Sequence, residues 1–246
     1  MPQQGSYLYS ALQIIDQVVL HHPNISHIHI GCDEVEHIGV CEQCQDILNK
    51  NNWKPSDIFL NHVLKLAKYI KSKYKIQPII WDDMLRNINE DVLQSYELGK
   101  YVWNYNPTFD FPNSLWQTYS KVFPKIWAAS SFKGATGPSK FYTNITFHLE
   151  NHKCWLDFLK ENVKLFKYQG IVLTGWQRYD HFAVLCELFP ASVPSLATNM
   201  YFLEKGKYPK IYSAKLWDAL KNGPPHCLRL NPFYVIFLEL RSTKGF

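Results

Sequence analysis

Short apolar segments alternate with helical patterns along this chain, and this alternation constrains the fold more than any other feature. Strands are predicted over residues 25–30, 77–81, 101–104, 125–129 and 170–174, which are apolar runs bounded by polar or turn-forming residues. Strands that alternate with helices build a parallel sheet with right-handed crossovers. The chain should therefore fold as an α/β protein.

The helical patterns predict which faces are buried. Residues 6–21 should form a helix whose stripe contains Tyr7, Ala11, Ile14, Ile15, Val18 and Val19. A second helix should begin at Pro55 and bury Phe59, Val63, Leu66, Ala67 and Ile70. A third is rich in large apolar residues around Trp155, and a fourth should run from about Phe182 toward Tyr201 with bends at Pro190 and Pro194.

Each predicted strand ends in polar or aromatic residues, which are Asp33-Glu34, Trp81-Asp82-Asp83, Trp103-Asn104, Ser130-Ser131 and Trp176. Such residues at five strand ends favour a (β/α)8 barrel, whose site is built there, over an open sheet with one switch point. Five strands amount to a partial barrel of about five C-terminal βα units. Residues 1–203 are therefore assigned to the barrel portion and residues 204–246 to a tail of uncertain structure, with an apolar run at 233–240.

The composition excludes several classes of protein. The net charge of +5 is mild and the basic residues are spread along the chain, so no nucleic-acid partner is expected. The sequence opens without a secretion-signal pattern and contains no uncharged run long enough for a membrane span. Six cysteines in 246 residues do not suggest a disulfide framework. A reducing, intracellular location without membrane contact is therefore expected.

The acid pair Asp33-Glu34 follows a buried strand and Gly31. A strand's last residues and the first loop residues can point into the same pocket, and neighbouring carboxylates raise the pKa of one of the two. One group can then act as an acid while the other stays charged. A solvated loop and a metal-binding pair remain alternative interpretations.

Four tryptophans lie at or near predicted strand ends: Trp81, Trp103, Trp127 and Trp176. A core position would more often hold Val, Ile or Leu. Aromatic faces suit the C–H faces of a sugar ring, while carboxylates bind its hydroxyl groups. One such tryptophan is usually a packing residue, but four in corresponding positions favour a sugar site.

These residues resemble a known family. The segment His29-Ile30-Gly31-Cys32-Asp33-Glu34-Val35 is similar to the acid-pair motif of family 20 β-N-acetylhexosaminidases. Residues 174–181 (TGWQRYDH) and 186–190 (CELFP) resemble the hexosaminidase D branch more closely. Residues 81–84 and 129–135 agree with that branch in order and spacing, so the resemblance covers about residues 6–203.

The resemblance implies an exo-β-N-acetylhexosaminidase that hydrolyses terminal N-acetylgalactosamine or N-acetylglucosamine by substrate-assisted catalysis. Glu34 would be the general acid and base, and Asp33 would orient the 2-acetamido group, whose oxygen attacks the anomeric carbon. The implied substrate-binding residues are Trp81, Asp82, Trp103, Trp176, Arg178 and Asp180. No cofactor or metal is expected. The partners would be N-acetylhexosaminide glycoconjugates, a homodimer is left open, and the location would be the cytoplasm with the nucleus as a second option.

The sequence also departs from the family. Many members have Gly-Glu after the last-strand tryptophan, whereas this chain has Gln177-Arg178, and Asp180 is the residue that could replace the glutamate. The first three barrel strands have no counterpart. The alternative expectation is therefore an inactive truncated remnant, or a partial gene model, with at most weak sugar binding.

Cys41-Glu42-Gln43-Cys44 has the spacing of a zinc or redox pair. A structural zinc site normally needs a second ligand pair, and the sequence offers none at a useful spacing. A metal site is therefore not predicted.

Overall fold

A computed structural model of the protein describes residues 4–94, 99–109, 111–123, 125–207 and 236–238. The chain forms two compact units. Unit 1 consists of Met1–Tyr101 with Lys121–Phe123, and unit 2 consists of Val102–Ser120 with Pro124–Phe246. Helices and strands alternate in both units, so the predicted α/β class is confirmed.

Unit 1 is built from parallel strands and the helices that connect them. Its elements are α1 (Gln4–His21), β1 (His27–His29), α2 (Glu42–Asn51), α3 (Pro55–Tyr74), β2 (Gln77–Trp81), a 3₁₀ turn (Asp83–Leu85), α4 (Glu90–Gln94) and the start of β3 (Gly99–Trp103). Strand β1 pairs with β2 with His27 opposite Gln77, and β2 pairs with β3 with Ile79 opposite Gly99. Both pairs are parallel, so the C-terminal ends of β1 and β2 lie at one edge.

Helix α3 confirms its predicted face. Pro55 occupies the start of the helix, where a missing N–H costs nothing, and the Asp57 carboxylate accepts the Lys54 N–H at 2.7 Å. All five predicted apolar residues and Leu60 are buried. The spacing of three and four residues explains this result, since such residues share one side of a helix.

Helix α1 is where the sequence predicted but the predicted stripe is partly wrong. Ile15 is buried beside Ile28 and Ile70, and Leu8, Ala11, Leu12 and Val19 pack around them. Tyr7, Ile14 and Val18 are instead exposed, at 71%, 61% and 39%. The helix is apolar on more than one side, and contact with α3 selects the side that is buried.

Unit 2 contains the rest of β3, most of α5 (Asn113–Val122), β4 (Lys125–Lys133), α6 (Ile145–Glu161), β5 (Lys167–Gly175), α7 (Phe189–Lys205) and β6 (Ile236–Leu238). Strands β4 and β5 pair in parallel from Lys125–Lys167 to Lys133–Gly175. Strand β6 pairs antiparallel with β5, with Ile171 opposite Leu238. Trp155 of α6 is fully buried.

Several predicted boundaries in unit 2 are corrected. Strand β4 continues to Lys133, so Ser130 and Ser131 are buried within it and Trp127 is its third residue, not a strand end. Helix α7 begins at Phe189 instead of near residue 182, with Pro190 in its first turn and Pro194 inside it. A proline is well tolerated at a helix start, which explains the late beginning.

The predicted tail at 204–246 lies largely outside the described residues, including Cys227. Within the apolar run at 233–240, residues 236–238 form β6. None of the described helices combines the length and the apolar character needed to cross a bilayer.

Candidate active site

The acid pair lies in a strained turn after β1. Gly31, Cys32 and Glu34 all have positive φ angles, of 70°, 69° and 49°. Each non-glycine residue in this region costs about 1 kcal/mol or more, so surrounding contacts must hold the turn. The Trp81 N–H donates to the Gly31 carbonyl at 3.1 Å, and the Glu34 N–H donates to Asp83 Oδ2 at 2.8 Å. The end of β2 therefore fixes the acid-pair loop.

Asp33 and Glu34 occupy different environments. Asp33 is half-buried and Glu34 is exposed. Burial raises the pKa of Asp33, and the negative charge of Asp83 raises it further. Adjacent residues with such different solvation can perform different tasks.

Two neighbours of the acid pair are neutral. Burial raises the pKa of the Cys32 thiol to about 12, with further contributions from Asp33 and Asp83, so this sulfur is not a nucleophile at neutral pH. Burial lowers the pKa of His29 to about 4. His29 Nδ1 accepts the Gly31 N–H at 3.0 Å, and its ring centroid lies 4.4 Å from that of Trp81. The predicted sugar-binding Trp81 thus packs on the strand that carries the acids.

Asp82 and Asp83 have different partners. The Asp82 side chain is fully buried, and its two oxygens accept bonds of 2.9 Å from Nε and Nη2 of Arg86. Its predicted role in sugar binding stays a prediction, because the contacts described for it are to Arg86. Asp83, which the sequence did not select as a site residue, is the one that contacts the acid-pair loop. The two aspartates are adjacent in sequence, but their side chains contact different partners.

Unit 2 brings two predicted tryptophans to a common tyrosine. Trp103 stacks on Tyr105 with ring centroids 5.2 Å apart, and Tyr105 meets Trp176 edge-on at 6.3 Å. Trp176 Nε1 donates to Thr174 Oγ1 at 3.2 Å, and Trp176 remains 42% exposed. This aromatic cluster lies at the ends of β3 and β5 and leaves part of Trp176 exposed. An exposed aromatic face is what stacking on a sugar ring requires.

Two buried residues that sequence reasoning did not select lie here: Lys133 contacts Trp176, and Glu187 contacts Gly134. The buried Lys133 side chain donates to the Trp176 carbonyl, and the Gly134 N–H donates to the buried Glu187 carboxylate. Burial lowers the pKa of Lys133 and raises that of Glu187. A Cβ atom on Gly134 would lie 2.4 Å from the Trp176 carbonyl oxygen. The sequence signals for this group were the CELFP motif, which contains Glu187, and the segment 129–135, which contains Lys133 and Gly134.

Arg178 and Asp180 lie together on the exposed loop after Trp176. Asp180 Oδ1 accepts the N–H groups of Phe182 and Ala183, both at 2.8 Å. Arg178 Nη1 donates to the Ala183 carbonyl at 3.4 Å. Both side chains thus shape their own loop, and their sugar contacts stay predictions.

The serines predicted at a strand end belong to a buried network. Ser130 Oγ lies 2.6 Å from His152 Nε2, and Ser131 Oγ lies 3.1 Å from His148 Nδ1. Burial lowers the pKa of His152 to about 4 and that of His148 to about 3, so both rings are neutral near pH 7. The network ties β4 to α6 and is closed to substrate.

Metal binding was one alternative for the acid pair. Within the described part of the chain, no three His, Cys, Asp or Glu side chains are grouped to hold a metal ion.

Known proteins resemble this chain in sequence. The model of glycosyl hydrolase family 20, catalytic domain, matches residues 4–108. Human hexosaminidase D is 39% identical over 227 residues, which cover 89% of this chain and 46% of that protein. Bovine hexosaminidase D is 38% identical over 227 residues, with coverage of 89% and 65%. The chain thus spans about half to two thirds of the length of these relatives.

A solved structure resembles the fold. A β-N-acetylhexosaminidase from Bacteroides fragilis superposes with a TM-score of 0.56 at 15% identity, over 89% of this chain and 44% of that one. At this identity the likeness concerns the α/β fold alone.

Proposed function

Because the chain is a hexosaminidase D-like protein of glycosyl hydrolase family 20, we propose that it carries the acid pair of an exo-β-N-acetylhexosaminidase. Its substrates would be terminal N-acetylgalactosamine or N-acetylglucosamine residues of glycoconjugates. The observation that carries the proposal is the loop after β1, where the half-buried Asp33 and the exposed Glu34 share one strained turn. Strain that the surroundings maintain is typical of functional sites.

Glu34 would act first as a general acid and then as a general base. Its exposed carboxyl can reach a glycosidic oxygen, and the bond from its own N–H to Asp83 fixes its backbone. Glu34 would give its proton to the leaving oxygen while the substrate's acetamide oxygen attacks the anomeric carbon and the glycosidic bond breaks. It would then take a proton from the water that opens the cyclic intermediate.

Asp33 would stabilise the acetamide as positive charge develops on it. Burial and the charge of Asp83 make the ionised form of Asp33 unfavourable, which is what its raised pKa expresses. The ionised form of such a carboxylate is stabilised most when a cationic group appears beside it. Its stabilising effect would therefore be greater in the transition state than in the bound substrate, as catalysis requires.

The remaining roles concern sugar binding. Trp103 and Trp176, which meet Tyr105 in unit 2, would offer their faces to a sugar ring. Within unit 1, Trp81 would be the aromatic residue suited to such a contact. Support comes from their positions at or after the last residues of β2, β3 and β5.

We further propose that β1–β5 and their helices correspond to the C-terminal five βα units of a (β/α)8 barrel. The parallel pairing within each unit supports this assignment, and so does the location of acids and tryptophans after strand ends. Residues 1–203 would make up this portion.

The catalytic roles are tested with Glu34→Gln and Asp33→Asn on two N-acetyl-β-galactosaminides, one alkyl and one 4-nitrophenyl. An alkyl oxygen needs protonation to leave, whereas nitrophenolate does not, so Glu34→Gln should lose ~10²–10⁴-fold on the alkyl substrate and much less on the other. Asp33→Asn should lose ~10²-fold or more on both, because both need the acetamide.

Glu36→Gln is the matched control, because Glu36 is an exposed acid on the same loop whose N–H donates to the Glu34 carbonyl at 2.9 Å. Equal activity of Glu34→Gln and Glu36→Gln on the alkyl substrate would remove Glu34 from the mechanism. A chain that binds a thiazoline analogue of the cyclic intermediate but hydrolyses neither substrate would be an inactive sugar-binding relative.

A further inference from the structure

Cys41 and Cys44 form a thiol pair at the start of α2 that the proposed hydrolysis does not use. Cys41 is the residue that precedes the helix, and Cys44 lies one turn further on. The Gln45 N–H donates to the Cys41 carbonyl at 3.0 Å, and the Gln45 side chain donates to the Gly39 carbonyl. The backbone frame around the pair is therefore fixed on both sides.

The two thiols differ in exposure and in the direction of their pKa shifts. Cys41 is exposed, whereas Cys44 is half-buried. The two cysteines are three residues apart at the helix start, a spacing that places side chains next to each other on one face. The backbone N–H and the thiol of Cys44 lower the pKa of Cys41, and Cys41 is the main cause that raises the pKa of Cys44. Cys41 is therefore suited to attack and Cys44 to react second.

The other described cysteines do not share this arrangement. Burial raises the pKa of Cys32, Cys154 and Cys186, and Cys186 is almost fully buried. Among the residues that the structure describes, no further metal-ligating side chains gather around Cys41 and Cys44. A dithiol function thus fits the pair better than a zinc site.

We propose that Cys41 and Cys44 form a thiol–disulfide exchange site that accepts small disulfides such as oxidised glutathione. The Cys41 thiolate attacks one sulfur of the small disulfide, whose S–S bond breaks and releases a thiolate. Cys44 then loses its proton and attacks Cys41 in the mixed disulfide, which forms the Cys41–Cys44 bond and releases the second thiolate. The two cysteines lose two electrons, the small disulfide gains them, and the cysteine protons pass to the two departing thiolates.

The first test measures the reactivity of each thiol in the full chain. Limited alkylation by iodoacetamide at pH 7, followed by peptide mass spectrometry, should modify Cys41 roughly tenfold faster than Cys44, because its thiolate fraction and exposure are both greater. In concentrated urea the two rates should become similar, since the helix frame is lost. A ratio near one in the folded chain would overturn the proposal.

The second test follows the exchange with oxidised glutathione. The wild type should lose two hydrogens per chain and recover them on addition of dithiothreitol. Cys44→Ser should stop at a mixed disulfide with one glutathione, and Cys41→Ser should react far more slowly. Cys154→Ser is the matched control and should behave as the wild type. A wild-type chain that stops at the mixed disulfide, or a Cys41→Ser variant that reacts as fast as Cys44→Ser, would refute the assignment.

Discussion

Replacement of Arg86 by alanine tests whether the turn after β2 depends on a buried ion pair. Arg86 gives two bonds of 2.9 Å to Asp82, whose side chain is fully buried, while Arg86 itself is 25% exposed. The variant would leave the Asp82 carboxylate buried without its cation. We expect Arg86→Ala to lower the free energy of unfolding markedly.

The magnitude follows from the geometry. Two unit charges about 4 Å apart attract by about 4 kcal/mol at an effective dielectric of 20. Removal of one partner of a buried pair typically costs about 3–5 kcal/mol, because the desolvation of the other charge is no longer offset. Water can reach Arg86 in part, so the lower end, about 3 kcal/mol, is expected. Arg86→Lys keeps the charge but loses the bidentate hydrogen bonding, and it should lower the free energy of unfolding by about 1 kcal/mol.

The assay is urea-induced unfolding, followed by tryptophan fluorescence and by circular dichroism. Lys205→Ala is the control, because it removes an ion pair with Glu204 whose side chains are 52% and 67% exposed. Such exposed pairs contribute about 0–1 kcal/mol. If Arg86→Ala destabilises the chain no more than Lys205→Ala does, the inference that the buried Asp82 carboxylate needs the charge of Arg86 is wrong.

Two further predictions concern backbone space and pH. Gly134→Ala should destabilise the chain by about 2 kcal/mol more than Gly206→Ala in the same unfolding assay, because overpacking typically costs about 1–3 kcal/mol; both glycines have positive φ, but only Gly134 meets Trp176. Equal losses of unfolding free energy in the two variants would refute the predicted clash between the new Cβ atom at position 134 and Trp176. Bonds from Lys73, Tyr74 and Tyr69 lower the pKa of Asp16 from 3.8 to about 2, so its stabilising effect is present above pH 4 and is lost as pH falls toward 2. Asp16→Asn should flatten the dependence of unfolding free energy on pH in that interval, and a slope equal to that of the wild type would contradict the assignment.

The sequence by itself determined the elements whose signals are local. Strand β2 has the predicted bounds, and α3 buries the predicted face, because periodicity and a starting proline act within a few residues. The location of Asp33 and Glu34 in the loop that follows β1 is likewise a local fact of chain order. Residue types and spacing were enough to predict the α/β class, and the catalytic role of the acid pair stays a prediction from the same signals.

Only the tertiary structure decided which side of an element is buried and which polar groups meet. Helix α1 offers several apolar sides, and packing on α3 chose one that leaves Ile14 exposed. Asp82 and Asp83 are neighbours in sequence, yet one binds Arg86 and the other the acid-pair loop. The contact of Gly134 with Glu187 joins residues 53 positions apart. No periodic pattern encodes such contacts, because they depend on the paths of separate segments in space.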